Sequence, residues 1–69
     1  MDFHLFLRQL GRRIRAAREL LGWSQDVAAA RAGVDSKFFQ RIEAGKQAIT
    51  LRTLHRLATA LHAPTASFL

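Results

Sequence analysis

The sequence predicts an all-α fold, and three observations lead to that prediction. Apolar residues recur in steps of three and four near both ends of the chain, which is the spacing of one face of an amphipathic helix. Residues that favour the first position of a helix and glycines that favour the last alternate along the sequence. No stretch alternates apolar and polar residues as a half-buried strand would. We therefore expect helices alone.

The first helix is predicted over 3–21. Its apolar stripe consists of Phe3, Leu7, Leu10, Ile14, Ala17 and Leu21. Arginines occupy the other faces, as expected for the solvent side of an amphipathic helix. Gly22 follows directly, and a glycine there closes a helix in the left-handed conformation. Ser24 then caps the next helix.

Two short helices are predicted next, over 25–32 and 36–44, with Gly33 between them. Asp35 caps the second of these helices, and Gly45 ends it. Two short helices joined by a tight turn with a glycine form a helix-turn-helix, because a side chain at that glycine would crowd the sharp change of direction.

A fourth helix is predicted after Thr50, which caps it. Its apolar face consists of Leu51, Leu54, Leu57, Ala58 and Leu61. Pro64 suits the first turn of a last helical segment that carries Phe68 and Leu69. We find no linker and no repeat, so residues 1–69 are expected to form one domain.

The charge balance points to a polyanionic partner. Lysine and arginine number 11 against 5 acidic residues, which gives a net charge of +6, and nucleic acid comes ahead of a membrane surface as the partner. The apolar start of the chain is interrupted by His4 and followed by Arg8, so it is neither a signal peptide nor a membrane span. A cytoplasmic protein is the simplest expectation.

Residues 10–61 resemble the phage-repressor-like helix-turn-helix regulators, the Cro-like or XRE family. The matching landmarks are Arg18, Gly22, Ser24, Gln25, Ala29, Gly33, Val34, Ile42, Glu43, Gly45, Leu54, Ala58 and Leu61. The segment 41–61 leans toward the restriction-modification controller proteins. The resemblance implies a compact five-helix domain of the lambda-repressor-like type, without a cofactor, that binds double-stranded operator DNA as a homodimer. The third helix then lies in the major groove.

The same resemblance implies a set of DNA-binding residues. The positions expected to read bases are Ser36, Lys37, Phe38, Gln40 and Arg41. Those expected to bind phosphates are Gln25, Lys46, Gln47, Thr50 and Arg52. Lysine and arginine read guanine and glutamine reads adenine, so the residue types suit the task. Arg12, Arg13 and Arg15 are open between phosphate contact and an ordinary solvated helix face.

Other positions have structural interpretations. The resemblance implies that Arg18 and Glu43 form an ion pair, which joins the first helix to the end of the third. Phe39 is expected in the core, where it fills the volume left by Ala28, a position that is usually leucine in the family. Phe38 is open between contact with a thymine methyl group and extra core.

The chain ends carry more apolar residues than the core of a small domain needs, which favours Phe68 and Leu69 as a dimer interface.

Catalysis and metal binding find no support in the sequence. His4, His55 and His62 lack the spacing of a metal pair, and the chain has no cysteine to complete a site. No nucleophile, base and orienting acid are brought together, so we do not expect an enzyme. Two other functions remain open: a protein-interaction module, such as an antitoxin that binds a toxin, and a general basic binder of RNA or membrane.

Overall fold

The computed structural model describes residues 2–69. It contains α1 (Phe3–Leu20), α2 (Gln25–Ala32), α3 (Ser36–Glu43) and α4 (Leu51–Ala60), followed by the 3-10 helix Thr65–Phe68. No strand occurs in this part of the chain, so the all-α prediction is confirmed. α1 and α3 each end one residue earlier than predicted. None of these helices meets the length and hydropathy of a membrane-spanning segment.

The prediction of five α-helices is wrong for the described residues, because the segment after α4 forms only a 3-10 helix. The backbone N–H of Ser67 donates to the Pro64 carbonyl at 3.0 Å, and that of Leu69 donates to the Ala66 carbonyl at 3.1 Å. Each of these bonds spans three residues, as in a 3-10 helix, and not the four residues of an α-helix.

Side-chain caps fix where the helices begin. The Ser24 hydroxyl accepts a hydrogen bond from the Val27 N–H at 3.1 Å, and Thr50 Oγ1 accepts one from the Thr53 N–H at 3.1 Å. Asp35 accepts from two N–H groups of the first turn of α3. These bonds satisfy donors that have no partner inside the helix, which explains why cap residues located the helix starts so closely.

All four α-helices contribute to one core. Its buried members are Leu10, Ile14, Ala28, Ala29, Ala32, Phe39, Ile42, Leu54, Leu57, Ala58, Leu61 and Phe68. The prediction that Phe39 lies in the core is confirmed, because its side chain is fully buried. Phe38 is half-buried and packs against the same core. Part of its ring therefore serves as extra core, which is one of the two alternatives that the sequence left open.

Phe68 closes the core from the C-terminal end. Its side chain is 2% exposed, and Arg13 Nη1 on α1 donates to the Phe68 carbonyl at 3.3 Å. A side chain that is buried within its own chain is not available to a second copy. Phe68 therefore belongs to the core of its own chain, whereas Leu69 is 58% exposed, and the dimer interface stays a prediction.

Two glycines allow α1 to lie directly on the end of α3 and the turn that follows it. A Cβ atom at Gly11 would stand 2.5 Å from the carbonyl oxygens of Ile42 and Glu43. A Cβ atom at Gly45, where φ is +73°, would stand 2.7 Å from Cγ of Arg8. Any larger residue at either position would push α1 away from the helix-turn-helix.

Candidate nucleic-acid interface

α2, α3 and the turn between them form a helix-turn-helix. Gly33 ends α2 with a φ of 70°, and the Val34 N–H donates to the Ala29 carbonyl at 3.0 Å. The Ser36 hydroxyl donates to the Asp26 carboxylate, which ties the start of α3 to the start of α2. This link was not predicted, because no short-range sequence pattern pairs residues ten positions apart. The Ser36 oxygen keeps its capacity to accept a hydrogen bond.

α3 has one buried face and one exposed face. Lys37, Gln40 and Arg41 are exposed, and their spacing of three and four places them on the same side of the helix. Phe39 and Ile42 lie on the opposite side and are buried. The helix therefore presents three long polar side chains from a backbone that the core holds in place.

A buried polar junction anchors the end of α3 to α1. Arg18 Nε and Nη2 donate to the two carboxylate oxygens of Glu43 at 2.7 and 3.0 Å, with side chains that are only 10% and 3% exposed. Arg18 Nη1 also donates to the Trp23 carbonyl at 2.8 Å. We call Arg18, Glu43 and Gln25 the polar junction, because Gln25 Nε2 donates to Glu43 Oε1 at 2.9 Å.

The polar junction favours the charged form of Arg18 and engages the side-chain amide of Gln25. The hydrogen bond that Arg18 donates to Glu43 raises the pKa of Arg18 above its ordinary value, although burial opposes this. Because the pKa of Arg18 is raised in the folded state, its ion pair with Glu43 stabilises the fold fully at any pH below the ordinary arginine pKa. That stabilisation is lost only as the pH rises above this value. Gln25, expected to bind a phosphate, already uses one of its two amide hydrogens within the junction.

The loop between α3 and α4 brings together several residues expected to contact phosphate. Arg41 Nε donates to Gln47 Oε1 at 3.2 Å, and Gln47 Nε2 donates to the Ala48 carbonyl at 2.9 Å. The Gln47 amide is thus engaged at both ends and orients the Arg41 guanidinium. The Thr50 hydroxyl is engaged at the start of α4, while Lys46 and Arg52 are exposed.

The segment that follows α3 has a net positive charge. Residues 44–69 contain no aspartate or glutamate, and both oxygens of Glu43 are bound by Arg18. Lys46 and Arg52 are exposed, and the acidic residue nearest to them in sequence, Glu43, is already paired. Such a surface attracts a polyanion over a distance comparable to the Debye length.

Comparisons with known proteins agree with this geometry. Three solved structures are similar to the chain over nearly all of it. The restriction-modification controller protein C.AhdI from Aeromonas hydrophila is 29% identical with a TM-score of 0.93, and the match covers 100% of both chains. A hypothetical transcription factor, NHTF, from Neisseria is 26% identical with a TM-score of 0.91, covering 100% of this chain and 79% of that one.

An HTH_3 family transcriptional regulator from Vibrio cholerae is 28% identical with a TM-score of 0.90, covering 97% of this chain but 38% of that one. No curated protein matches the sequence. The profile described as a helix-turn-helix domain matches residues 9–67, which is most of the chain. The chain therefore belongs to the helix-turn-helix domain family.

Proposed function

We propose that this protein is a transcriptional regulator that binds double-stranded DNA sequence-specifically through α3. The observation that carries the proposal is the division of α3 into two faces. Lys37, Gln40 and Arg41 project from a helix whose other face is locked by Phe39 and Ile42. A controller protein and two transcription factors or regulators share the fold at 26–29% identity, which supports the same function here.

The dimensions of α3 suit the major groove. An α-helix with its side chains is about 10–12 Å across, so it fits a major groove about 12 Å wide. Lys37 and Arg41 are the candidates to read guanine, and Gln40 is the candidate to read adenine. Ser36 can accept a hydrogen bond, and the uncovered part of the Phe38 ring can contact a thymine methyl group.

Phosphate contacts on either side of α3 would fix its register in the groove. Gln25 retains one free amide hydrogen at the start of α2, where the helix dipole also favours an anion. Lys46 and Arg52 supply exposed positive charge, and Thr50 marks the start of α4. Gln47 acts through Arg41, whose guanidinium it orients.

We further propose that the protein binds as a homodimer and that binding, not catalysis, is its whole activity. A dimer places two copies of α3 about 34 Å apart on one side of the duplex, so that they read successive major grooves. Leu69 is exposed at the C-terminal end and is the retained candidate for the interface. Protein concentration then sets operator occupancy by mass action.

Selection of bound duplexes from a random DNA library at near-physiological salt tests the proposal. We expect an enriched motif with two-fold symmetry and half-sites about one helical turn apart. A motif without symmetry would retain the DNA-binding function and refute the dimer. The absence of enrichment by a folded protein would refute sequence-specific binding and favour a protein-interaction module.

A further inference from the structure

The five arginines of α1 divide into two groups by their contacts. Arg13, Arg15 and Arg18 bind the Phe68 carbonyl, Glu19 and Glu43 respectively. Within residues 2–69, Arg8 and Arg12 make no side-chain hydrogen bond or salt bridge. Arg8 differs from Arg12 because its backbone and stem pack directly on the turn after α3.

The position of Arg8 is fixed by Gly45. A Cβ atom at Gly45 would stand 2.7 Å from Cγ and 2.8 Å from Cα of Arg8, so the arginine stem lies across the turn. The next residue in that turn is Lys46, whose N–H donates to the Arg41 carbonyl at 2.9 Å. Arg8 therefore stands beside the segment that carries the proposed phosphate contacts, although it lies far away in sequence.

Arg8, Arg41 and Lys46 form what we call the corner cluster. All three side chains are exposed. The acidic residue nearest to this turn in sequence is Glu43, and Arg18 occupies both of its carboxylate oxygens. The Arg8 stem packs on Gly45 and Lys46 is the next residue in the chain, so two exposed cations start from the same turn, and a bound anion would be attracted by both.

We propose that Arg8 binds a DNA backbone phosphate at the edge of the site read by α3. The inference rests on the proposed function and extends its footprint to α1. An arginine guanidinium binds phosphate oxygens with two parallel hydrogen bonds, and its exposed head is free to do so once Gly45 has fixed its stem. Because a phosphate carries no base identity, Arg8 contributes affinity and salt dependence without changing the sequence preference.

The test compares Arg8→Gln with Arg56→Gln on the selected duplex and on a duplex with altered bases. Glutamine keeps part of the Arg8 stem against Gly45, and Arg56 is an exposed arginine on α4 outside the corner cluster. Affinity is measured from 0.1 to 0.6 M salt. We expect Arg8→Gln to lower the steepness of log affinity against log salt by about 0.9 per bound protomer.

The DNA affinity of Arg8→Gln should fall roughly five-fold per protomer at 0.15 M salt, by the same factor on both duplexes. Arg56→Gln should keep the wild-type slope. Arg8→Lys keeps the charge and should also keep the slope. Equal slopes for Arg8→Gln and Arg56→Gln would overturn the inference. So would an Arg8→Lys variant as defective as Arg8→Gln, because that result indicates a structural role. A wild-type protein without any salt dependence would instead refute the proposed function itself.

Discussion

The polar side chains on the two faces of α3 differ in their partners: those on the buried face bind other side chains, and those on the exposed face meet solvent. On the buried side, Glu43 is 3% exposed as a side chain and accepts from both Arg18 and Gln25. On the exposed side, Lys37 and Gln40 face solvent. Among residues 2–69, no buried side-chain nitrogen or oxygen lacks a hydrogen-bond partner. The polar groups of the buried face therefore hold α3 in place, and those of the exposed face are free to bind a ligand.

This division follows from the length of α3. An isolated helix of eight residues is unstable in water, so its position depends on its caps and on its buried face. The exposed face contributes little to stability. Substitutions on the buried face should therefore lower the free energy of unfolding, and substitutions on the exposed face should change DNA binding alone.

The largest effect is expected for Arg18→Ala. Removal of the guanidinium leaves Glu43 buried without its charged partner, which costs about 3–5 kcal/mol of unfolding free energy. Thermal denaturation followed by circular dichroism should show a melting temperature lower by more than about 10 °C. Arg15→Ala is the control, because its salt bridge to Glu19 has side chains 62% and 56% exposed and contributes less than about 1 kcal/mol. Equal melting of the two variants would contradict the prediction.

The second effect concerns the apolar part of the same face. Phe39 and Ala28 are both buried, at 0% and 1% exposure. Phe39→Ile should lower the unfolding free energy by about 1–3 kcal/mol, because the smaller side chain leaves unfilled volume. Ala28→Leu in the same chain should recover part of that loss, which a double-mutant cycle by denaturant unfolding measures. Strictly additive effects would show that the two side chains do not share a volume.

The starts of helices were predictable from the sequence, whereas the packing of the C-terminal segment was not. The cap residues Ser24, Asp35 and Thr50 act on N–H groups two or three positions away, so they located the starts of α2, α3 and α4. The tail was not predictable in this way. Phe68 at a chain end can turn inward or outward, and its burial depends on contacts with α1 that are more than fifty residues away in sequence.

The same limit applies within the candidate site. The resemblance marked Gln25, Gln47 and Arg41 as residues that contact DNA, but it could not indicate that Gln25 donates to Glu43 or that Gln47 holds Arg41. Those bonds arise only after α1, α2 and the α3–α4 loop have packed. Arg8 is the extreme case, since its place beside the loop depends on the absence of a side chain at Gly45.

The third prediction sharpens the contrast from the exposed side. Gln40→Ala should leave the melting temperature within a few degrees of the wild type, because the side chain is exposed. It should remove the preference for one base pair in each half-site, worth about 1–3 kcal/mol. Measured affinities for the selected duplex and its single-base variants test this. A loss spread evenly over all duplexes would contradict direct base reading by Gln40.

The smallest effect is expected for Lys46→Gln, which separates charge from base reading on the exposed side. Lys46 follows Gly45 and is exposed, so its loss should not change the melting temperature. Removal of one phosphate contact should weaken all duplexes alike by roughly five-fold per protomer at 0.15 M salt, and the loss should vanish near 1 M. Titrations of selected and altered duplexes at several salt concentrations measure both quantities, with Arg56→Gln as the charge-matched control. A loss confined to one duplex would instead place Lys46 among the base-reading residues, because phosphate contact alone cannot distinguish sequences.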